Sequence, residues 1–341
     1  MSQRAVGGVV AAVGMTHTPG LGHMLHVPEP AQVKRIADGF AIAERQLQQA
    51  RPDVVVAFVN DHFDMFTLQG MPGFAIAVGD THWGPTPETE AWIQMKRGPV
   101  PGDSQLAFEI YRSLMSDGFE LHRVESAEFI HNVLMPKKFL WPERQIPVVP
   151  VFINCFIPPL PTWRRAYELG RAIRKVVAAG PKRVALLASG GLSHWPPIVT
   201  DDLEAGDPLV PRLKEWHRFG REAVRADPTL PLAILEREKV MAASGRALIN
   251  VEWDRGILQQ LANADVEQLT KLDHEAVRAA GGSGGAEMLL WVALMGAMND
   301  AKADIVMYEA VKEWMGGVGL ISYATSLQGD RRAQSGIDRG S

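Results

Sequence analysis

The stretch that most constrains the fold is Val54-Val55-Val56-Ala57-Phe58-Val59-Asn60-Asp61-His62, introduced by Arg51-Pro52-Asp53. A continuous β-branched and apolar run after a turn signal reads as a buried strand. Buried parallel strands deliver their chemistry at their C-terminal ends, where open α/β sheets bind ligands. This strand would deliver an imidazole, His62, with Asn60 and Asp61 beside it. Two further runs end alike. Val9-Val10-Ala11-Ala12-Val13-Gly14-Met15 leads to Thr16-His17, and Val184-Ala185-Leu186-Leu187-Ala188 leads through Ser189-Gly190-Gly191-Leu192-Ser193 to His194. Three strand-to-histidine endings predict one site at the rim of one sheet.

The rest of the chain fits an α/β domain. With 341 residues it can bury a sizeable core. A formal charge of −4 and the absence of a basic run give no reason to expect nucleic acid or a membrane surface as partner. No apolar run approaches the ~20 residues that span a bilayer. The single cysteine, Cys155, excludes an intramolecular disulfide and fits a reducing, cytoplasmic setting; its apolar surroundings predict an inert buried thiol.

In chain order, Pro28-Glu29-Pro30 opens a helix whose apolar face is Ile36, Phe40, Ala43 and Leu47. A short strand, Phe74–Val78, precedes a long irregular stretch rich in Gly and Pro through Gly102. Trp83, Trp92 and Met95 within it suggest an ordered loop covering a substrate. Asp103-Ser104 caps a helix to about Gly118, Phe119–Val124 and Val148–Asn154 read as strands, and Thr162 opens a helix to Ala179. From Pro208 onward the pattern reads as helical. It includes the glycine cluster Gly281-Gly282-Ser283-Gly284-Gly285 and then Ala286-Glu287 and an apolar helix. Strands alternating with helices predict a single α/β domain over 1–328. Its central, mostly parallel sheet is flanked by helices, with a helical C-terminal portion. The polar segment 329–341 reads as a disordered tail.

His17, His62 and Glu287 form a candidate metal site. Two neutral imidazoles and a carboxylate leave about half of an octahedral shell open, an arrangement suited to non-haem Fe(II). His194 and His131 would remain as bases over a substrate. Each residue also has an ordinary explanation. A single histidine is often structural, His23 and His26 compete with His17, and an acidic residue at a helix start is favoured by the dipole alone. The glycine cluster implies close backbone approach to something; a phosphate cradle lacks its lysine and strand. His82, His122, His217 and His274 lie in polar contexts and read as solvated. Phe63, Met65, Phe66, Trp83, Trp92, Met95 and Trp195 are candidates for an aromatic pocket or for packing. Arg97 and Lys96 are candidates for a substrate carboxylate and read equally as solvated charges.

The ordered set Thr16-His17-Thr18-Pro19, Asn60-Asp61-His62, Gly190-Gly191-Leu192-Ser193-His194 and Gly285-Ala286-Glu287 with Trp291 resembles the class III extradiol ring-cleavage dioxygenases. The 2,3-dihydroxyphenylpropionate 1,2-dioxygenase type is the most similar group. Pro147–Asn154, Asn250-Val251-Glu252-Trp253-Asp254 and Glu313–Gly319 extend the resemblance over nearly the whole chain. It implies that His17, His62 and Glu287 bind Fe(II), that His194 is the acid/base, and that His131 contacts the substrate. Asn60 would stand behind the ligands. A catecholic substrate and O2 would be the reactants, and copies of the chain would assemble into a homo-oligomer. One departure stands out: Ile130 and Asn132 flank His131 where relatives often have Asp and Gly. That puts the proton-handling partner of His131 in question. Two alternatives are a metal hydrolase, zinc-dependent or otherwise, and a catalytically silent interaction module on the same fold.

Overall fold

The computed structural model describes residues 7–204 and 206–323. The predicted 329–341 tail lies outside the described residues. Eight strands form one sheet in the order β6-β3-β7-β2-β8-β1-β10-β9, and two form a small separate pair. The strands are β1 (Gly8–Met15), β2 (Val54–Val59), β3 (Phe74–Ala77), β4 (Thr81–Gly84), β5 (Gly98–Pro101), β6 (His122–Val124), β7 (Val148–Ile153), β8 (Arg183–Ser189), β9 (Ala303–Val311) and β10 (Gly316–Tyr323). The central strands β1, β8, β2 and β7 run parallel, whereas β3 against β7, and β10 against β1 and β9, are antiparallel. The fold is α/β with a mostly parallel core, as predicted.

Every residue of β2 and β7 is buried, which explains their unbroken apolar sequences: each face must pack on helices. On one face lie α1 (Pro30–Ala50) and α2 (His131–Leu140). On the other lie α3 (Trp163–Ala179) and α4 (Met288–Ala297). Thr162 caps α3 by accepting from the Arg165 amide at 3.2 Å. Helix α4 is buried on all sides, sandwiched between the sheet and α3, so it shows no polar face in the sequence. Among the described residues, no helix is long and apolar enough to cross a membrane.

One expectation fails. The stretch before Gly102 is not irregular: β4 and β5 pair antiparallel, and Glu90–Ile93 is a short helix between them. The C-terminal portion is predominantly helical as expected, and after Ala297 the strands β9 and β10, which the sequence did not mark, complete the sheet beside β1. Strand β10 is Gly-Gly-Val-Gly-Leu-Ile-Ser-Tyr, poor in strand-forming residues at its start. Gly317 is required by a close neighbour, since a Cβ there would overlap the Asp254 carboxylate.

Candidate metal and active site

Register places the site. Gly14 of β1 and Phe58 of β2 both pair with Ala188 of β8, so the three strands end level. Just beyond that level come Thr16-His17, Asn60-Asp61-His62 and Gly190-Gly191. Asp61 turns the chain away from β2: its carboxylate accepts from the Phe66 amide at 2.9 Å and from Met65 at 3.2 Å. Burial lifts this carboxyl to about 6 against those amide bonds. It serves the backbone rather than the site.

Glu287 sits at the centre of the cluster and is buried. Its Oε2 is 3.4 Å from His17 Nε2, and its Oε1 is 3.6 Å from His62 Nε2 and 3.9 Å from His194 Nε2. Asn60 Nδ2 donates to Oε1 at 3.0 Å, and the Gly191 amide donates to Oε2. Burial alone would raise the carboxyl, but the facing His17, His62 and His194 rings outweigh it and hold the group well below the ordinary carboxylate range. Burial lowers His62, and burial together with the His62 and His17 rings lowers His131 well below the usual imidazole value. Burial thus disfavours the charged form of the His62 and His131 rings beside an anionic carboxylate, and an uncharged imidazole is the form that ligates a cation.

Two of the rings are held from behind. His17 Nδ1 bonds Ser189 Oγ at 2.9 Å, which leaves Nε2 facing Glu287. His194 Nδ1 lies 2.8 Å from the Leu192 carbonyl. A carbonyl only accepts, so Nδ1 carries a proton, and in the uncharged ring Nε2 presents a lone pair to the cavity. His131 sits edge-on to His17 and Trp92, with ring centroids 5.0 and 5.1 Å away, and 4.2 Å from His62. Its Nδ1 is buried without a hydrogen-bond partner. Ile130, the residue before it, carries no hydrogen-bonding side chain. Asn132 has a structural task instead. It donates to the Asn60 carbonyl at 2.8 Å and accepts from the Ile130 and Val133 amides.

The donors fit a metal. Cis ligands at about 2.1 Å from a common octahedral ion lie about 3 Å apart, close to the 3.4 and 3.6 Å separations from Glu287 to His17 and His62. Ring nitrogens of His17, His62 and His131 also lie within 4.8 Å of one another. His17 and His62 are common to both sets.

The glycine cluster explains itself here. Gly284 lies against the His194 ring so closely that a Cβ would overlap it, and Gly282 adopts φ +80 beneath the His194 carbonyl. The close approach is to His194, and no phosphate is needed. Trp291, fully buried on α4, donates to the Gly190 carbonyl at 3.1 Å and pins the loop that carries His194.

Several sequence expectations are corrected. His82 and His217 are buried rather than solvated. His82 bonds the Val148 carbonyl and the Ala127 amide, and burial lowers it to about 4. His217 bonds the Ile198 carbonyl at 2.7 Å and stacks on Phe63. His274 is half-buried on the Pro161 carbonyl, and His122 is exposed. His23 lines the cavity without joining the cluster, and His26 is exposed. Arg97 is locked to Glu128 by two bonds at 2.6 and 2.8 Å, and Lys96 is 93% exposed beside Glu90. Neither lines the cavity. Of the aromatic candidates, Trp92 and Trp195 line it, whereas Phe63 and Phe66 are core. Cys155 is buried and its thiol is pushed well up by burial, as expected of an inert group.

The sequence quoted Asp254 but gave it no role. Fully buried, Asp254 accepts from the Ser193 amide at 2.7 Å, Ser193 Oγ at 2.9 Å and Tyr308 at 2.7 Å. It fixes the residue preceding His194. Ser189 behind His17 was likewise passed over. Only their partners, 54 or more residues away in each case, give them meaning.

Comparison with known proteins agrees with this architecture. The chain is 30% identical over 325 residues to the 2,3-dihydroxyphenylpropionate/2,3-dihydroxicinnamic acid 1,2-dioxygenase of Photorhabdus laumondii, covering 92% of this chain and 96% of that one. It is 31% identical to the protein of the same name from Cupriavidus necator, over 89% of this chain and 94% of the relative. The same identity holds for the Burkholderia vietnamiensis protein, at 90% and 95% coverage. Residues 11–321 match the family model of the catalytic LigB subunit of aromatic ring-opening dioxygenase, and the chain belongs to that family.

Proposed function

We propose that this ring-opening dioxygenase acts on a catecholic substrate with O2, cleaving the ring beside the diol, and that its metal is Fe(II) held by His17, His62 and Glu287. The convergence of two imidazole Nε2 atoms on the oxygens of one buried carboxylate carries the assignment. Glu287 is preferred to His131 as third ligand because a carboxylate offsets a dication's charge and a third neutral imidazole does not. The chemistry such a metal supplies is Lewis acidity toward the diol oxygens and electron exchange with dioxygen.

The remaining work belongs to the chain. His194 Nε2, with its lone pair toward the cavity, accepts a proton from a diol hydroxyl and returns it when the ring opens. His131, neutral and wedged between His17, His62 and Trp92, forms a wall against the bound diol. Asn60 holds Glu287 Oε1 in place and keeps the carboxylate directed at the two rings. The apolar cavity excludes water from the reacting pair. We also propose one catalytic domain over 1–328 from the alternation of strands and helices, cytoplasmic residence from the single cysteine, and assembly from copies of the chain on the strength of the resemblance.

The test is oxygen uptake by protein loaded anaerobically with Fe(II), Zn(II) or Mn(II) and offered catechol, with the coloured ring-opened product followed in parallel. Uptake restricted to the iron-loaded sample is expected. Equal rates with zinc would reject the iron assignment.

A further inference from the structure

The cavity above the His17–His62–Glu287 cluster has a volume of about 450 Å³. A benzene-sized ring is accommodated in about 150 Å³, so a diol ring alone leaves most of the space to a substituent. Much of the far wall is apolar, with Ile198, Trp216, Leu230 and Ile234 among its side chains. One basic side chain interrupts it. Among the described residues, Arg221 is the only arginine or lysine that lines the cavity. The residue before it sets its place. Gly220 has φ +57, and a Cβ there would lie 2.7 Å from the Phe63 carbonyl oxygen, so this backbone packs against the turn that carries His62.

The Arg221 guanidinium is only partly paired. Its Nη1 lies 3.4 Å from Glu128 Oε1, but Arg97 already holds both Glu128 oxygens at 2.6 and 2.8 Å. Two cations thus share one carboxylate. Arg221 Nε is buried without a hydrogen-bond partner, and among the described residues no other carboxylate forms an ion pair with this side chain. Asp64 is near enough to feel its charge, and Glu88 is paired with Arg225 at 3.7 Å. Glu238, on the helix Leu230–Ala243, also lines the cavity, and burial raises its carboxyl to about 7. A guanidinium offers five donors in a planar fork that matches two carboxylate oxygens. Taking it out of water with donors unfilled is costly, so its place in this wall points to an anion that arrives with the ligand.

We infer that Arg221 is a specificity-determining residue whose guanidinium binds a carboxylate carried on the substituent of the diol. The inference rests on the ring-cleavage reading of the same site, because the ring held at the cluster delivers the substituent to this wall. The apolar side chains take up the carbon chain between ring and carboxylate, and Arg221 replaces the water that the carboxylate gives up. An uncharged substituent of similar size fills the same space and leaves the donors unfilled.

The test compares 3-(2,3-dihydroxyphenyl)propanoate with its methyl ester, in the iron-loaded parent and in Arg221→Gln and Arg221→Lys. Turnover is followed by oxygen uptake, and anaerobic binding to the same proteins by quenching of tryptophan fluorescence. In the parent the acid should exceed the ester by roughly 10-fold or more in kcat/KM and in affinity. The acid-to-ester ratio should fall to about 1 in Arg221→Gln. It should take an intermediate value in Arg221→Lys, which keeps the charge without the fork. A purely structural Arg221 would weaken both diols alike and leave the ratio in place. An ester that binds and turns over as well as the acid in the parent overturns the inference while leaving ring cleavage intact, as does a parent-like ratio in Arg221→Gln. If that variant does not fold, the parent ratio and its reduction in Arg221→Lys decide, and an unreduced ratio there overturns the inference. Absence of turnover with both diols, with tighter binding of the acid that is lost in Arg221→Gln, supports the inference and rejects the ring-cleavage reading instead. Failure of both to bind overturns it.

Discussion

The two ends of the cavity are built on different principles. The inner end stands on the level C-termini of β1, β2 and β8, and each of its side chains except His131 is tied by a hydrogen bond: His17 to Ser189, His62 to Asn60, His194 to Leu192 and Glu287 to Asn60 and Gly191. The outer wall stands on helices Leu209–Phe219 and Leu230–Ala243, which join the body through a small apolar cluster. Leu232 and Val240 there are both 60% exposed, and Glu238 has no ion-pair or hydrogen-bond partner among the described residues. The difference shows how one enzyme separates two demands. Reaction geometry needs groups that cannot move, so they sit where parallel strands end. A wall on an added helical segment can change shape and charge without disturbing the strands.

The contrast predicts graded effects. Removal of a proposed ligand in His62→Ala or Glu287→Ala should abolish metal binding and lower oxygen uptake by roughly 10³-fold or more. Metal analysis beside the rate checks this, and a variant that retains stoichiometric iron and activity would move that residue out of the ligand set. His194→Ala should keep its iron and lose about 10²–10⁴-fold in kcat. Loss of iron in that variant would make His194 a ligand rather than a base. One step further back, Asp254→Ala leaves the Ser193 amide and hydroxyl and the Tyr308 hydroxyl unpaired. We expect it to cost about 1–3 kcal/mol of stability and to lower kcat more than substrate affinity. Thermal melts and a KM-against-kcat comparison read the two effects separately.

The smallest effect belongs to the outer wall. Glu238 has a carboxyl raised from 4.5 to about 7 by burial. A value raised in the folded state means that the contribution to stability is full below the unfolded value and is lost as pH rises through the folded one. Glu238→Gln cannot ionise. It should therefore be more stable than the parent above about pH 7, by about 1–2 kcal/mol allowing for water in the cavity mouth. The gap should close as pH falls toward 4.5. Paired melting curves across that range decide it, and a constant difference would place the Glu238 carboxylate in free solvent.

Much of the inner end was legible because its signals are local. An apolar run that stops on polar residues records burial followed by emergence at a rim, and β2 and β8 are read directly from that pattern. The helix caps at Asp103 and Thr162 were equally local. The outer wall left no comparable trace. Helix Leu230–Ala243 carries apolar residues on most of its faces, so the sequence marks no side as facing a cavity. Strand β9 mixes exposed and buried positions without strict alternation, and β10 opens on glycines, so both escaped notice. His82 and His217 were misjudged for a similar reason. Polar residues surround them in sequence, but the carbonyls that accept their bonds belong to Val148 and Ile198.

By itself the sequence determined β1, β2 and β8, their endings on His17, His62 and His194, and the family these endings resemble. Those properties depend on side-chain type and near neighbours. Only the tertiary structure decided that Glu287 reaches three of the rings, that Asn132 steadies Asn60, that Arg97 is bound to Glu128, and that much of the far wall is apolar. Each of these is a distance between residues remote in the chain. Such distances are set by strand register and by the packing of helices on both faces of the sheet, which no local pattern encodes.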